Sequence, residues 1–440
     1  MKINSSQASV FWAGTEYLTY PALIFFATPF LIRYLGIENF GLWMLVVAIV
    51  SSWGLVNLGV APTITRFVAM YRDEVGMSQA KSVVQAGLAW ALLGGGLAMS
   101  TLALASDWLA NNWLKSMGTQ DSVKHALLIS SLLLLLAQVE FTYKAAIKGF
   151  ELFGLVAKLE VVSKSAVVLV FMLVAYLGMG LSGVLSAMLI FAVINCLIYG
   201  TTVSRILGRG IWVPMVTKRL TSEIRSFAGW NWLQVLAGVF FNQFDRFLIG
   251  ALMGAGPLAV YSVCIQVAQQ IHALPAAIFS VILPVFSRRK SKSRLNNSKI
   301  ILYGVVVSLL LATPILLCSD LILELWMGKN FASENKVLLM MLAGSYFILS
   351  INVVPHFLAL VNGNARFISV VNLLGGIASI LTTVWLMGEY GLLGLVVGKF
   401  AYGILVTLGN IRLGIKKNDV KKNEAGLGSG KDSLKPFVPP

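Results

Sequence analysis

The chain has 440 residues, of which 58% are hydrophobic and only 12% are charged. A soluble protein of this length would carry about twice that charged fraction, so the composition excludes an ordinary soluble protein. The formal net charge of +16 lies mainly in short connections between apolar runs, a placement that membrane topology explains and that argues against nucleic acid as a partner. The three cysteines and three histidines show no ligand spacing, so neither a metal site nor a cofactor is predicted.

Apolar runs long enough to cross a bilayer as helices recur along the whole chain. They predict an all-α polytopic membrane protein with about twelve transmembrane helices. The first six spans are predicted at 12–34, 42–69, 83–105, 125–147, 158–177 and 181–202, and the second six at 226–252, 258–285, 299–319, 336–361, 368–387 and 391–412.

Loop charges predict the orientation. The basic cluster at 288–294 lies on one side of the predicted membrane, and the mixed, acidic connection at 320–334 lies on the other. Because basic loops stay in the cytoplasm, both termini are predicted to be cytoplasmic. The resulting organisation is an N-terminal six-helix lobe (1–202), a basic cytoplasmic linker (203–225), a C-terminal six-helix lobe (226–412) and a disordered basic tail (413–440).

The two predicted lobes share a turn. The segment LGIENFGLWM (35–44) aligns with MGAGPLAVYS (253–262) at an offset of 218 residues. A glycine, a small residue five positions later and an aromatic residue seven positions later fall in register. Since six spans separate the two turns, both lobes start on the same side, which predicts a parallel pseudo-two-fold repeat about the membrane normal. Two such lobes are typical of transporters that work by alternating access.

Three segments carry a family resemblance. RYLGIENFGLWMLVVAIVSSWGLVNLGVAPTITRFVAMYRDE, KAAIKGFELFGLVAKLEVVSKS and FNQFDRFLIGALMGAGPLAVYSVCIQVAQQIHALPAAIFSVILPVFSR resemble the bacterial polysaccharide transport family of the multidrug/oligosaccharidyl-lipid/polysaccharide exporter superfamily. The resemblance implies an inner-membrane flippase, without covalent catalysis, for undecaprenyl-diphosphate-linked oligosaccharides such as O-antigen units of lipopolysaccharide. It also implies transport from the cytoplasmic to the periplasmic leaflet, with membrane lipids, a polysaccharide polymerase and chain-length machinery as partners.

Three ionised residues lie within the apolar segments of the C-terminal half. Lys399, near the middle of the last span, requires either a carboxylate partner or a wet cavity. Asp245 and Arg246 are adjacent, so their side chains diverge by about 100° on a helix. We expect Arg246 to face the cavity, where a guanidinium suits a diphosphate, and Asp245 to pair with a basic group or bind a coupling cation. A local network that locks the helix is the alternative. Ala27 and Thr28 stand at the aligned positions of the first half.

Charged residues also recur at helical spacing in the N-terminal half. They are Glu140, Lys144 and Lys148 on the fourth span, and Glu160 and Lys164 on the fifth. A glutamate four residues before a lysine favours an intrahelical ion pair. The alternatives are therefore two self-satisfied pairs near the inner interface, or an ion-coupling site or cytoplasmic gate that Glu16 joins.

The remaining candidates are polar groups that suit a substrate of sugars and phosphates. Arg33 ends the first span, where it is either a substrate or gate residue or an interfacial anchor. Asn231, Gln234 and Asn242 fall on one helical face and form a candidate sugar-facing stripe. Trp326 is predicted to be an interfacial belt residue.

Two other functions remain open from the sequence. A cation-coupled multidrug exporter of the same superfamily requires an acidic cavity, whereas a flippase for a diphosphate-linked substrate requires a positive one. A membrane-embedded polysaccharide polymerase or ligase requires a large periplasmic loop with catalytic side chains, and the predicted outer loops are short. Coupling of transport to protons or sodium through Asp245 or a glutamate is a further hypothesis.

Overall fold

The computed structural model describes residues 5–56, 60–73, 76–215, 243–289, 297–361 and 364–415. Within these ranges the chain forms helices and turns, and no β-strand occurs. The helices of the N-terminal half are α1 (Ser5–Leu35), α2 (Ile37–Val56), α3 (Val60–Met70), α4 (Met77–Trp108), α5 (Gln120–Gly149), α6 (Phe153–Tyr176) and α7 (Gly180–Leu207). The helices of the C-terminal half are α8 (243–252), α9 (Ala255–Ala268), α10 (Gln270–Arg289), α11 (Asn297–Leu317), α12 (Ser319–Met327), α13 (Lys329–Ile351), α14 (Val353–Val361), α15 (Ala365–Tyr390) and α16 (Leu392–Ile415).

The protein is a multi-pass membrane protein. In the part of the chain that the structure describes, eight helices are long and apolar enough to cross a bilayer, and the bent pair α9–α10 makes a ninth. Shorter apolar helices at Thr19–Leu35, Ile37–Ser52 and Val60–Met70 cover most of the first two predicted spans. The predicted seventh span lies mostly outside the described residues, so the twelve-span layout stays a prediction.

Several predicted spans consist of two helices. The predicted span 42–69 corresponds to α2 and α3, and the predicted span 336–361 to α13 and α14. Pro62 and Pro355 lie in the first turn of α3 and of α14, where a proline is tolerated because the first amides of a helix have no intrahelical partner. The axes of α9 and α10 differ by 41°. The short helix α12 was predicted to be a loop.

The two aligned turns have the same backbone form. Gly36 has φ +81° and Gly254 has φ +93°, a left-handed conformation that glycine adopts without a steric penalty. A helix begins directly after each glycine, at Ile37 and at Ala255. The offset of 218 residues therefore relates two turns of like geometry, which the sequence match predicts.

The two halves meet near these turns. A β-carbon added at Gly41 of α2 would lie 1.9 Å from the carbonyl oxygen of Ala255 on α9, so the small residue permits close backbone contact. The Ser116 hydroxyl donates to the carbonyl oxygen of Gly250 at 3.2 Å. Nearer the middle of the helices, the Thr28 hydroxyl donates to Gln266 Oε1 at 3.2 Å.

A tryptophan adds a further contact between the halves. The Trp326 indole stacks on Phe25 with ring centroids 4.2 Å apart, and its Nε1 donates to the Phe25 carbonyl oxygen at 2.9 Å. The sequence predicts Trp326 to be mainly an interfacial belt residue, which stays a prediction; in addition, α12 turns this half-buried side chain onto α1.

Candidate functional site

Three helices bring an acid, a base and a phenol together in the C-terminal half. Asp245 precedes the end of α8 by two turns, while Tyr261 and Lys399 follow the starts of α9 and α16 by about two turns. With a rise of 1.5 Å per residue, each side chain lies roughly 10 Å from its helix end. Lys399 Nζ lies 2.7 Å from Asp245 Oδ2. Lys399 therefore has the carboxylate partner that its depth requires.

The Asp245 carboxylate is fully satisfied. Its Oδ1 accepts the Arg246 backbone N–H at 2.8 Å, and its Oδ2 accepts both the Tyr261 hydroxyl and the Lys399 ammonium. The Lys399 ammonium also lies 5.9 Å and 5.8 Å from the ring centroids of Tyr261 and Tyr346, within the range of a cation–π contact. Since Asp245 is only 8% exposed, this arrangement holds an ion pair away from bulk solvent.

A small cleft opens beside the ion pair. Its volume is about 50 Å³, and it is lined by Phe244, Asp245, Ser379, Ile380, Thr383, Leu395, Lys399 and Tyr402. Pockets for drug-sized ligands measure about 300–1,000 Å³, whereas a single water needs about 10–15 Å³ of such space. The cleft therefore has room for a few waters or a small ion and is too small for a drug-sized ligand.

Arg246 points away from this ion pair. Its Nη1 donates to Gln243 Oε1, one helical turn earlier, and the side chain is half-buried. Among the described residues, no carboxylate lies within salt-bridge distance of its guanidinium. The adjacent Asp245 carboxylate instead contacts Lys399, so in the described part of the chain the Arg246 guanidinium has no carboxylate in direct contact.

Four charged residues form a second cluster, between α5 and α6. Lys144 contacts Glu140 on its own helix and Glu160 on α6, and Glu160 also contacts Lys164 Nζ at 2.5 Å. The Lys144 ammonium lies 5.0 Å from the ring centroid of Tyr199 on α7. The two predicted intrahelical pairs are therefore joined into one neutral network that links neighbouring helices.

The other predicted residues lie apart from these clusters or outside the described residues. Arg33 is exposed at the end of α1, with its guanidinium 6.0 Å from the Tyr34 ring centroid. Lys148 is half-buried one turn beyond Lys144. The side chains outside the described residues are those of Glu16, Asn231, Gln234 and Asn242.

Sequence reasoning missed the two tyrosines beside Lys399. The sequence marks Tyr261 only as the aromatic residue of the aligned turn. Its role beside Asp245 follows from hairpin geometry, because residues at equal distances from the turn between α8 and α9 lie at equal depth. Tyr346 lies on α13, whose packing against α16 no sequence pattern indicates.

The sequence is similar to those of proteins of polysaccharide biosynthesis and O-antigen transport. The model of the family described as "Polysaccharide biosynthesis protein" matches residues 7–290. A Shigella flexneri protein named "Putative O-antigen transporter" is 24% identical over 372 residues, which cover 83% of this chain and 87% of that protein.

Two solved structures share the fold. One is an inward-facing multidrug resistance MATE family transporter of the MOP superfamily, with a TM-score of 0.72, 15% identity, and coverage of 95% of this chain and 100% of that one. The other is the lipid II flippase MurJ in an inward closed conformation, with a TM-score of 0.69, 13% identity, and coverage of 92% and 87%. At these identities the likeness shows a common fold, and the relatives are named as transporters rather than enzymes.

Proposed function

The chain belongs to the polysaccharide biosynthesis protein family, and from this premise we propose that it is a flippase for an undecaprenyl-diphosphate-linked oligosaccharide. The substrate class is an O-antigen or similar surface polysaccharide unit, moved from the cytoplasmic to the periplasmic leaflet of the inner membrane. Two comparisons support this: the relative named as an O-antigen transporter, and the fold shared with a flippase whose substrate is also a lipid.

The observation that carries the proposal is that the Arg246 guanidinium has no carboxylate in contact with it among the described residues. The two buried clusters and Arg246 together contain three carboxylates and four cationic groups. Each of these carboxylates contacts at least one lysine, whereas the Arg246 guanidinium, within the described ranges, contacts an amide oxygen and no carboxylate. A guanidinium donates charge-assisted, bidentate hydrogen bonds that match a diphosphate. A half-buried arginine of this kind is a binding group for an anionic head group.

The same charges disfavour a multidrug exporter for cationic drugs. Such an exporter needs a carboxylate that is free to meet a cation, and Asp245, Glu140 and Glu160 all contact lysines. The Arg246 guanidinium would repel a cationic drug. A drug-efflux assay in the same strain distinguishes the two functions.

The transport cycle that we propose is alternating access between two six-helix lobes. The contacts of Gly41, Ser116 and Trp326 with the opposite half form the closed outer gate. The Glu140–Lys144–Glu160–Lys164 network, near the opposite ends of its helices, serves the cytoplasmic gate. Both termini lie in the cytoplasm in this proposal, and transport is coupled to a proton or sodium gradient.

Complementation of a flippase-null strain tests the function. A set of strains with oligosaccharide units of known sugar sequence should include at least one in which the protein restores surface polysaccharide. Arg246→Ala should abolish the restoration, and Arg246→Lys should restore part of it because the charge remains without the bidentate geometry. The matched control is Arg205→Ala, at an exposed position near the end of α7, which should complement fully. Normal complementation by Arg246→Ala at equal membrane abundance would contradict the assigned role.

A further inference from the structure

The surroundings of the Lys399 ammonium are of the kind that favours a monovalent cation. It lies 2.7 Å from a buried carboxylate oxygen of Asp245 and within 6 Å of the ring centroids of Tyr261 and Tyr346. Carboxylate oxygens and aromatic faces are the groups that attract a partly desolvated cation. Here the cation is covalently attached to α16 through the lysine side chain.

A second cation has no favourable place beside Asp245 while Lys399 is there. Among the described residues, the charged group in contact with the carboxylate is Lys399 from α16, and the guanidinium of the neighbouring Arg246 on α8 adds positive charge nearby without touching it. Tyr261 and Tyr346, from α9 and α13, contribute neutral rings. A sodium ion about 4 Å from the ammonium would be repelled strongly enough to weaken its binding on the order of a thousandfold.

The surroundings would nevertheless suit a free sodium ion if the ammonium were absent. The adjacent cleft is lined by the hydroxyl-bearing residues Ser379, Thr383 and Tyr402. These hydroxyls and the Asp245 carboxylate are oxygen ligands, the type that hard cations prefer. With about 50 Å³ of space beside the ion pair, loss of the lysine side chain would leave room for an ion and a water.

We propose that Lys399 is a tethered cation that takes the place of a dissociable coupling ion on Asp245. The site consequently holds no free sodium, and a sodium gradient does not act on the protein through Asp245. This inference rests on the proposed function in that it narrows the energy source of the flippase. At this carboxylate, only the movement of Lys399 itself or of a proton can couple a gradient to the conformational change.

The test measures sodium binding to the purified protein without any oligosaccharide. Wild-type, Asp245→Asn, Lys399→Ala and Lys399→Ala/Asp245→Asn proteins in detergent are titrated with ²²Na⁺ at constant ionic strength, with choline as the replacement cation. We expect no saturable binding to the wild type at Asp245, saturable binding to Lys399→Ala with at least a hundredfold gain in affinity, and none to the double variant. Lys399→Arg and Lys164→Ala are matched controls without a gain, because a cation remains on Asp245 in the first and Lys144 remains on Glu160 in the second.

Two results would overturn the inference. One is saturable binding to the wild type that Asp245→Asn abolishes, since sodium would then share the carboxylate with the lysine. The other is a folded Lys399→Ala protein that binds no sodium, since the position would then be only a partner for a structural ion pair. If Lys399→Ala does not fold, Lys399→Gln replaces it. Failure of the flippase proposal in complementation leaves the binding result unaffected.

Discussion

Loss of the buried Asp245–Lys399 ion pair should lower the stability of the protein. At 2.7 Å between Lys399 Nζ and Asp245 Oδ2, the Coulomb attraction is about 6 kcal/mol with an effective dielectric constant of about 20. Much of this attraction offsets the desolvation of the two groups. Removal of one partner of a buried pair nevertheless costs about 3–5 kcal/mol, because the other charge stays buried without compensation. Lys399→Ala should therefore destabilise the protein by about that amount.

A second substitution should recover part of the loss. Asp245→Asn in the Lys399→Ala background removes the uncompensated negative charge, while the amide oxygen can still accept from Tyr261. Groups in direct contact typically show interaction free energies of about 0.5–3 kcal/mol. The double variant should therefore unfold at a higher temperature than Lys399→Ala alone.

Thermal unfolding of the purified proteins in detergent measures this order. The buffer should contain choline chloride, because sodium is expected to bind and stabilise Lys399→Ala. If the loss of stability in the double variant equals the sum of the losses in the two single variants, the two groups do not interact in the folded protein. The electrostatic account of the site would then be wrong.

Three further substitutions each test one contact in the structure. Gly41→Val places a β-carbon 1.9 Å from a backbone oxygen of Ala255, so the outer contact should be weakened by about 1–3 kcal/mol. Labelling of a Ser262→Cys variant, at a buried position of α9, by an impermeant maleimide should rise in the Gly41→Val background, and unchanged labelling would contradict the proposed gate. Glu160→Gln should lower the thermal midpoint by the equivalent of about 3 kcal/mol or more, because two lysines share this buried carboxylate. Trp326→Phe keeps the ring contact but loses one hydrogen bond, so unfolding measurements should show a loss of about 1 kcal/mol; a loss as large as that of Trp326→Ala would mean that the indole N–H carries the contact.

Much of the fold follows from simple regularities of the chain. Apolar runs predict the membrane helices because length and hydropathy decide whether a segment spans a bilayer. The shared turn is predicted because its glycines, Gly36 and Gly254, adopt a conformation that few other residues do. Helix boundaries inside the apolar runs are harder to predict. Pro62 and Pro355 each lie in the first turn of a new helix, although the apolar stretch continues through them.

The candidate site can be predicted only in part from the sequence. The burial cost of Lys399 predicts that it has a partner or a wet cavity, and counting residues from each turn would place Asp245 at the same depth. Which helices pack together depends on surfaces that no local pattern encodes. The contact of Trp326 with Phe25 and the joining of Lys144 to Glu160 therefore emerge only from the folded chain.

Flipping of a lipid-linked oligosaccharide by the purified protein in proteoliposomes tests the central claim most directly. The wild type should move a diphosphate-linked oligosaccharide lipid between leaflets and should not transport a cationic dye. Loss of charge-assisted hydrogen bonds worth about 1.5–3 kcal/mol should make Arg246→Ala roughly 10- to 100-fold slower, while Arg205→Ala keeps the wild-type rate. Transport of the cationic dye without movement of the lipid-linked oligosaccharide, or equal rates for wild type and Arg246→Ala, would contradict the account.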